Sequence, residues 1–154
     1  MTRIPSILGA LVACLFALLS PSDAQSQDTF QVGNTTLTAT NLVSGISLPW
    51  EILWGPDDFL WVTSRVGTVY RIDPETGATS TILNKTVTNN GSGEPGMLGM
   101  AMHPEWATNP KVFIVYTSGS TWNGTEYLSV FDWNGSTLVN EEVLLTLPAA
   151  GIHN

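Results

Sequence analysis

Two stretches of the chain repeat one pattern, in which two apolar runs are separated by a turn containing proline and an acidic residue. The first copy covers residues 49–63 and turns at Gly-Pro-Asp-Asp (55–58). The second copy covers residues 97–117 and turns at His-Pro-Glu-Trp (103–106). The copies lie roughly 48 residues apart, and a period of this size carried by short strands is typical of four-stranded β-propeller blades.

The pattern predicts an all-β fold with eight strands in two blades, at about 49–84 and 97–147. Asn-Gly pairs and other turn formers separate the strands. Both alternating faces are largely apolar, which indicates sheets covered on both sides. The predicted strands are 50–54, 59–64, 68–73 and 79–84 in the first blade, and 98–102, 111–117, 126–133 and 139–147 in the second.

Residues 1–24 have the features of a secretory signal peptide. Arg3 supplies the basic start, residues 7–19 are apolar, and residues 22–24 offer small side chains for cleavage after position 24. The apolar stretch is shorter than the roughly 20 residues that span a bilayer. A lipoprotein signal at Cys14 is the alternative, although the residues after it stay apolar. We therefore expect a secreted or periplasmic protein with no membrane span.

After the signal peptide, residues 25–42 form a polar lead-in, and residues 35–41 alternate like an edge strand that fits the blade closing the ring. Residues 43–154 hold the two blades and the start of a third. Propellers have about 4–8 blades, so two blades cannot close a ring. We therefore expect the N-terminal fragment of a longer protein.

Charge and cysteine content narrow the classes of partner. Five basic and thirteen acidic residues give a net charge of -8, which argues against binding to nucleic acid or anionic membranes. Such a balance fits neutral or cationic small molecules, and it is equally explained by solubility alone. Cys14 is the single cysteine, so the mature chain must be held by its core rather than by disulfides.

Two loops carry residues suited to a ligand site. The first is Gly-Ser-Gly-Glu-Pro-Gly at 91–96, in which glycines let the backbone approach a ligand and Glu94 can reach into the mouth of the channel. The second is Gly-Ile-His-Asn at 151–154, which contains His153. Both loops precede the innermost strand of a blade, so we expect Glu94 and His153 to face one ligand.

Three segments resemble the glucose/sorbosone dehydrogenase family of soluble sugar dehydrogenases, which use pyrroloquinoline quinone (PQQ) on a six-bladed propeller. They are Leu-Pro-Trp-Glu-Ile at 48–52, Gly-Glu-Pro-Gly-Met-Leu-Gly-Met-Ala-Met-His-Pro at 93–104 and Gly-Ile-His-Asn at 151–154. The resemblance runs from about Val43 to the end. It implies that the full-length protein has six blades and that this chain supplies about two of them.

The resemblance also implies chemistry and site residues. In the family a histidine that opens a blade removes the proton from the anomeric hydroxyl of a sugar, a hydride passes to the quinone, and a lactone forms. His153 resembles this base, and Glu94 falls where the family places a glutamine or glutamate near quinone and sugar. Ile152 stands where some members have an aspartate. The family's calcium ligands and the cations that hold PQQ lie beyond Asn154. An external electron acceptor and a homodimer are further expectations.

Other interpretations of the same residues stay open. A secreted propeller that binds carbohydrate or protein without catalysis is one alternative, and a calcium-dependent lactonase-type hydrolase is another. His103 lies in the duplicated turn and is expected to be structural. Among the tryptophans, those in strand patterns are expected to pack between blades, and those in loops are expected to be exposed. The former are Trp50, Trp54 and Trp61; the latter are Trp106 and Trp122.

Overall fold

A computed structural model of the chain describes residues 27–89, 93–120 and 123–149, and all regular secondary structure in those ranges is β-strand. The signal peptide predicted at 1–24 lies outside them. Within them, no helix is long and apolar enough to cross a membrane. The chain divides into two compact units, of which the first ends at Thr40 and the second begins at Asn41.

The first unit contains a two-stranded antiparallel hairpin of β1 (Gln27–Val32) and β2 (Thr35–Thr40). Gly33 adopts a left-handed backbone with φ of 60° in the connecting turn, a conformation that glycine tolerates well. β2 matches the edge strand predicted at 35–41. β1 was not predicted, because its polar residues carry no core pattern and its strand conformation depends on pairing with β2. The placement of this hairpin in a ring-closing blade stays a prediction.

The second unit contains two four-stranded antiparallel sheets, each with its strands in sequence order. All eight predicted strands are present, with shifts of a few residues at their ends, and the all-β blade architecture is confirmed. The first sheet consists of β3 (Pro49–Trp54), β4 (Leu60–Ser64), β5 (Thr68–Ile72) and β6 (Thr79–Asn84). The second consists of β7 (Met97–Met102), β8 (Lys111–Gly119), β9 (Gly124–Trp133) and β10 (Leu138–Ala149).

The core lies between the two sheets and draws on both. Trp61 is fully buried, and its ring meets those of Trp106 and Trp133 edge-on at centroid distances of 5.8 and 4.9 Å. One apolar face of each sheet therefore packs on the neighbouring blade. The buried cluster consists of Trp61, Val69, Ile82, Met97, Met100, Val112, Ile114, Tyr116, Phe131 and Leu138.

Polar contacts between the sheets complement this packing. The Thr63 hydroxyl donates a 2.7 Å hydrogen bond to the Leu98 carbonyl. Lys85 Nζ lies 2.6 Å from one Glu141 oxygen, and the Tyr116 hydroxyl donates to the other at 2.6 Å. Partial burial is the largest single influence and opposes the charged forms of Lys85 and Glu141, but their mutual hydrogen bond, their hydrogen bonds to Tyr116 and their opposite charges together outweigh it. The pKa of Lys85 is therefore raised and the pKa of Glu141 lowered.

The first strands of the two sheets, β3 and β7, lie next to each other. In a propeller the blades are arranged around a central channel, and the first strand of each blade is the one nearest to it. The start of β3 and the start of β7 therefore mark the mouth of the channel in this part of the chain.

Candidate functional site

The mouth is formed where β3 and β7 begin and β4 ends. The Arg65 amide, directly after β4, donates to the Leu48 carbonyl at 3.0 Å, just before β3. The Arg65 carbonyl accepts from the Met97 amide at 3.2 Å, at the start of β7. Arg65 thus joins the two innermost strands through its backbone. We call Leu48, Trp50, Arg65, Glu94 and Gly96 the mouth cluster.

Gly96 holds the loop that carries Glu94 in place. Its amide donates to the Thr117 hydroxyl at 2.6 Å, and its carbonyl accepts from the Thr117 amide at 2.8 Å. Gly96 has φ of 149°, and a Cβ there would lie 2.3 Å from the Arg65 carbonyl oxygen and 2.7 Å from Arg65 Cγ. Only glycine fits, so the approach of this loop to Arg65 depends on the missing side chain.

Replacing Gly96 with alanine should therefore destabilise the protein by about 2 kcal/mol or more, since it adds both backbone strain and a backbone clash. Gly99→Ala is the matched control, because it lies three residues further along, in β7, and a Cβ there meets nothing within 4 Å. Guanidinium denaturation of both variants measures the difference. Equal effects of the two substitutions would contradict the account of Gly96.

Glu94 lies two residues before Gly96, at the mouth predicted for it, and is half-buried. His153 lies outside the described residues. The predicted convergence of Glu94 and His153 on one ligand therefore stays a prediction.

Leu48 adds local strain to the mouth. Its φ of 44° is a left-handed conformation that is rare for a bulky residue. The hydroxyl of Ser64 donates to the Ser47 carbonyl, and the Leu48 carbonyl accepts from Arg65, so the surrounding hydrogen bonds hold the strained turn. Backbone strain that is maintained in this way is often found at binding sites.

Trp50 and Arg65 present an aromatic face and a cation at the mouth. Trp50 is 49% exposed, and Arg65 Cζ lies 5.9 Å from the centroid of its ring. Trp54 is 62% exposed, so neither side chain packs between the two described sheets, contrary to the expectation for both. Both lie on β3, which is an edge strand of its sheet among the described residues.

Arg65 differs from the other cationic side chains in the described ranges. Those three each pair with a carboxylate: Arg71 with Asp57 at 2.7 Å, Lys85 with Glu141 at 2.6 Å and Lys111 with Asp132 at 2.5 Å. Arg65 has no carboxylate partner there, and its buried Nε has no hydrogen-bond partner. Sequence reasoning missed Arg65, although its place in a predicted blade turn at the mouth end was a usable signal.

The other histidine lies at the opposite end of β7 and is structural, as predicted. His103 Nδ1 accepts from the Glu105 amide at 3.1 Å, and Nε2 lies 3.2 Å from Asn109 Nδ2. Its ring stacks on Phe113 at 6.3 Å. Trp106, in the same turn, was expected to be exposed, but it packs against Trp61 and is partly buried. Trp122 lies outside the described residues.

No three His, Cys, Asp or Glu side chains come together as a metal site in residues 27–89, 93–120 and 123–149. The calcium ligands implied by the resemblance were expected beyond Asn154, so they stay a prediction.

Comparisons with known proteins agree with this arrangement. The family described as Glucose / Sorbosone dehydrogenase matches residues 46–150, which include both sheets and the mouth cluster. Quinoprotein glucose dehydrogenase B of Acinetobacter calcoaceticus is 36% identical over 75 residues, which are 47% of this chain and 16% of that protein.

Solved structures share the fold. A protein of Thermus thermophilus, provisionally described as an oxidoreductase (glucose dehydrogenase), matches at TM-score 0.59 and 26% identity, over 68% of this chain and 31% of its own. The PQQ-bound aldose sugar dehydrogenase of Streptomyces coelicolor matches at TM-score 0.55 and 23% identity, over 79% of this chain and 34% of its own. The chain thus spans about a third or less of the length of these relatives.

Proposed function

This chain belongs to the glucose/sorbosone dehydrogenase family, and on that premise we propose that it is the N-terminal part of an exported, PQQ- and calcium-dependent sugar dehydrogenase. The reaction would oxidise the anomeric hydroxyl of an aldose to a lactone, with an external electron acceptor. The observation that carries the proposal is the family match over residues 46–150, because those residues build the two blades and the mouth cluster that holds Glu94.

The proposed roles follow from the chemistry of the side chains. His153 is the general base that takes the anomeric proton, since the pKa of an imidazole lies near working pH. Glu94 is a polar group of the quinone and sugar pocket, where its carboxylate can accept hydrogen bonds from sugar hydroxyls. PQQ, when bound, supplies the hydride acceptor.

The mouth cluster fits a quinone that carries carboxylates. An anion needs a cation or several N–H donors, and this strongly acidic chain places an unpaired guanidinium at the mouth. Gly93 and Gly96, both at positive φ, belong to the loop beside it, and the absence of a side chain on Gly96 allows the close approach to Arg65. Calcium would be bound by residues beyond Asn154.

The test uses the full-length protein, loaded with PQQ and calcium chloride, with glucose and a panel of other aldoses. We expect PQQ-dependent reduction of a dye acceptor and a lactone among the products, and neither without PQQ. Absence of both PQQ binding and dye reduction with every aldose would overturn the proposal. The 154 residues alone should not turn over, because the two described blades do not enclose the channel of a propeller, which has about 4–8 blades.

A second candidate is a secreted propeller that binds carbohydrate without catalysis. It is favoured by the half-exposed ring of Trp50 at the mouth, since aromatic faces suit the apolar faces of sugars. Calorimetric binding of glucose without any turnover in the loaded protein would favour this candidate over the dehydrogenase.

A further inference from the structure

We propose that Arg65 is an anion-binding residue of the channel mouth, where its guanidinium, placed beside Trp50, binds a carboxylate of the molecule that enters there. The inference rests on the proposed function for its two candidate ligands. These are the quinone, which carries carboxylates, and an acidic sugar such as a uronic acid. Both present the same group to the arginine.

The position of Arg65 supports this role. Its backbone bridges the turn before β3 and the first residue of β7, so the residue sits between the innermost strands of both blades. Its Cγ would lie 2.7 Å from a Cβ on Gly96, so the side chain runs along the loop that carries Glu94. Its Cζ lies 5.9 Å from the ring centroid of Trp50. The guanidinium is therefore held at the mouth.

The lack of a carboxylate partner for the Arg65 side chain also supports the anion-binding role. The other three cations in the described ranges have carboxylate partners, whereas the Arg65 guanidinium has none and its buried Nε makes no hydrogen bond. A buried donor without an acceptor costs about 1–3 kcal/mol. The planar fork of arginine suits a carboxylate, to which it can donate two parallel hydrogen bonds. A bound carboxylate would give the guanidinium the partner that the chain does not supply.

The competing explanation is that Arg65 only anchors β7. The anchoring contacts, however, come from its backbone amide and carbonyl, and these remain when the side chain is changed. The guanidinium can therefore be removed separately. Arg65→Gln removes the charge and keeps much of the stem, and Arg65→Lys keeps the charge but loses the planar fork.

The matched control is Lys111→Gln, which changes net charge by the same amount. Lys111 begins β8 beside the far end of β7 from Gly96 and pairs with Asp132. The experiment measures calorimetric dissociation constants of the full-length protein for PQQ, with calcium present, and for D-glucuronate. It also measures KM for D-glucuronate and D-glucose in the loaded enzyme. Circular dichroism checks the fold of each variant. If Arg65→Gln does not fold, the dissociation constants of Arg65→Lys are compared with those of the wild type instead.

We expect Arg65→Gln to weaken binding of one carboxylate probe at least tenfold, Arg65→Lys to weaken it less, and Lys111→Gln to leave it unchanged. A loss for PQQ identifies the quinone as the source of the carboxylate. Unchanged PQQ binding with a raised KM for glucuronate alone identifies an acidic sugar.

Wild-type affinity of Arg65→Gln for both carboxylates would overturn the inference, and so would an equal loss in Lys111→Gln. Failure of the wild type to bind PQQ or oxidise any sugar overturns the proposed function instead. In that case the glucuronate titration decides the inference, which falls if the wild type does not bind glucuronate or if Arg65→Gln binds it equally well.

Discussion

Replacing Trp61 with alanine should lower the free energy of unfolding by about 3–5 kcal/mol, the usual cost of removing a large aromatic ring from a packed core. Trp61 is fully buried and packs edge-on against Trp106, in the turn between β7 and β8, and Trp133, at the end of β9. Its indole N–H also donates to Asp57 at 3.0 Å, and Asp57 in turn pairs with Arg71 at 2.7 Å. The substitution therefore opens a cavity between the blades and removes one partner of a carboxylate.

Guanidinium denaturation of the full-length protein measures this effect, with Trp61→Phe as the graded comparison. Phenylalanine keeps a ring in the interface and loses the hydrogen bond to Asp57, so its effect should be intermediate. If Trp61→Ala unfolds at the same denaturant concentration as the wild type, the blade interface described here does not hold the protein together.

Replacing His153 with asparagine should lower kcat by about 10²–10⁴, the range that a positioned general base contributes. An amide cannot take the anomeric proton at working pH, whereas its small polar side chain should leave folding and PQQ binding nearly unchanged. In the wild type kcat/KM should fall at pH values below the ordinary imidazole pKa of about 6.5, because the protonated ring is no longer a base. This decrease of kcat/KM at low pH should be absent from the residual activity of the variant.

His103→Asn is the control for this prediction, because His103 is the other of the two histidines in the sequence and lies in the turn that follows β7. It should leave kcat within a factor of about three while reducing stability, since its ring accepts a backbone hydrogen bond. Steady-state kinetics with a saturating dye acceptor measure both variants. A His153→Asn enzyme with wild-type kcat would assign the base to another residue.

The positions of the strands follow from local features of the sequence. Short runs with apolar residues, bounded by turn formers, mark the eight blade strands, and both properties depend only on neighbours in sequence. For the same reason the mouth loop was found, since the glycines around Glu94 are adjacent to it in the chain. The structural role of His103 followed from the position of its turn in the repeat.

The features that only the tertiary structure decides depend on contacts between residues that are distant in sequence. Arg65 and Gly96 are 31 positions apart, and their contact arises only when two sheets pack with their first strands side by side. The three ion pairs of the other cations likewise join residues 14 to 56 positions apart in sequence. β1 is a strand because β2 pairs with it, and Trp50 is exposed because it lies outside the core between the two sheets. Hydrophobic periodicity and turn-forming residues are local properties of the sequence. Which distant residues come into contact is decided by the packing of the two sheets.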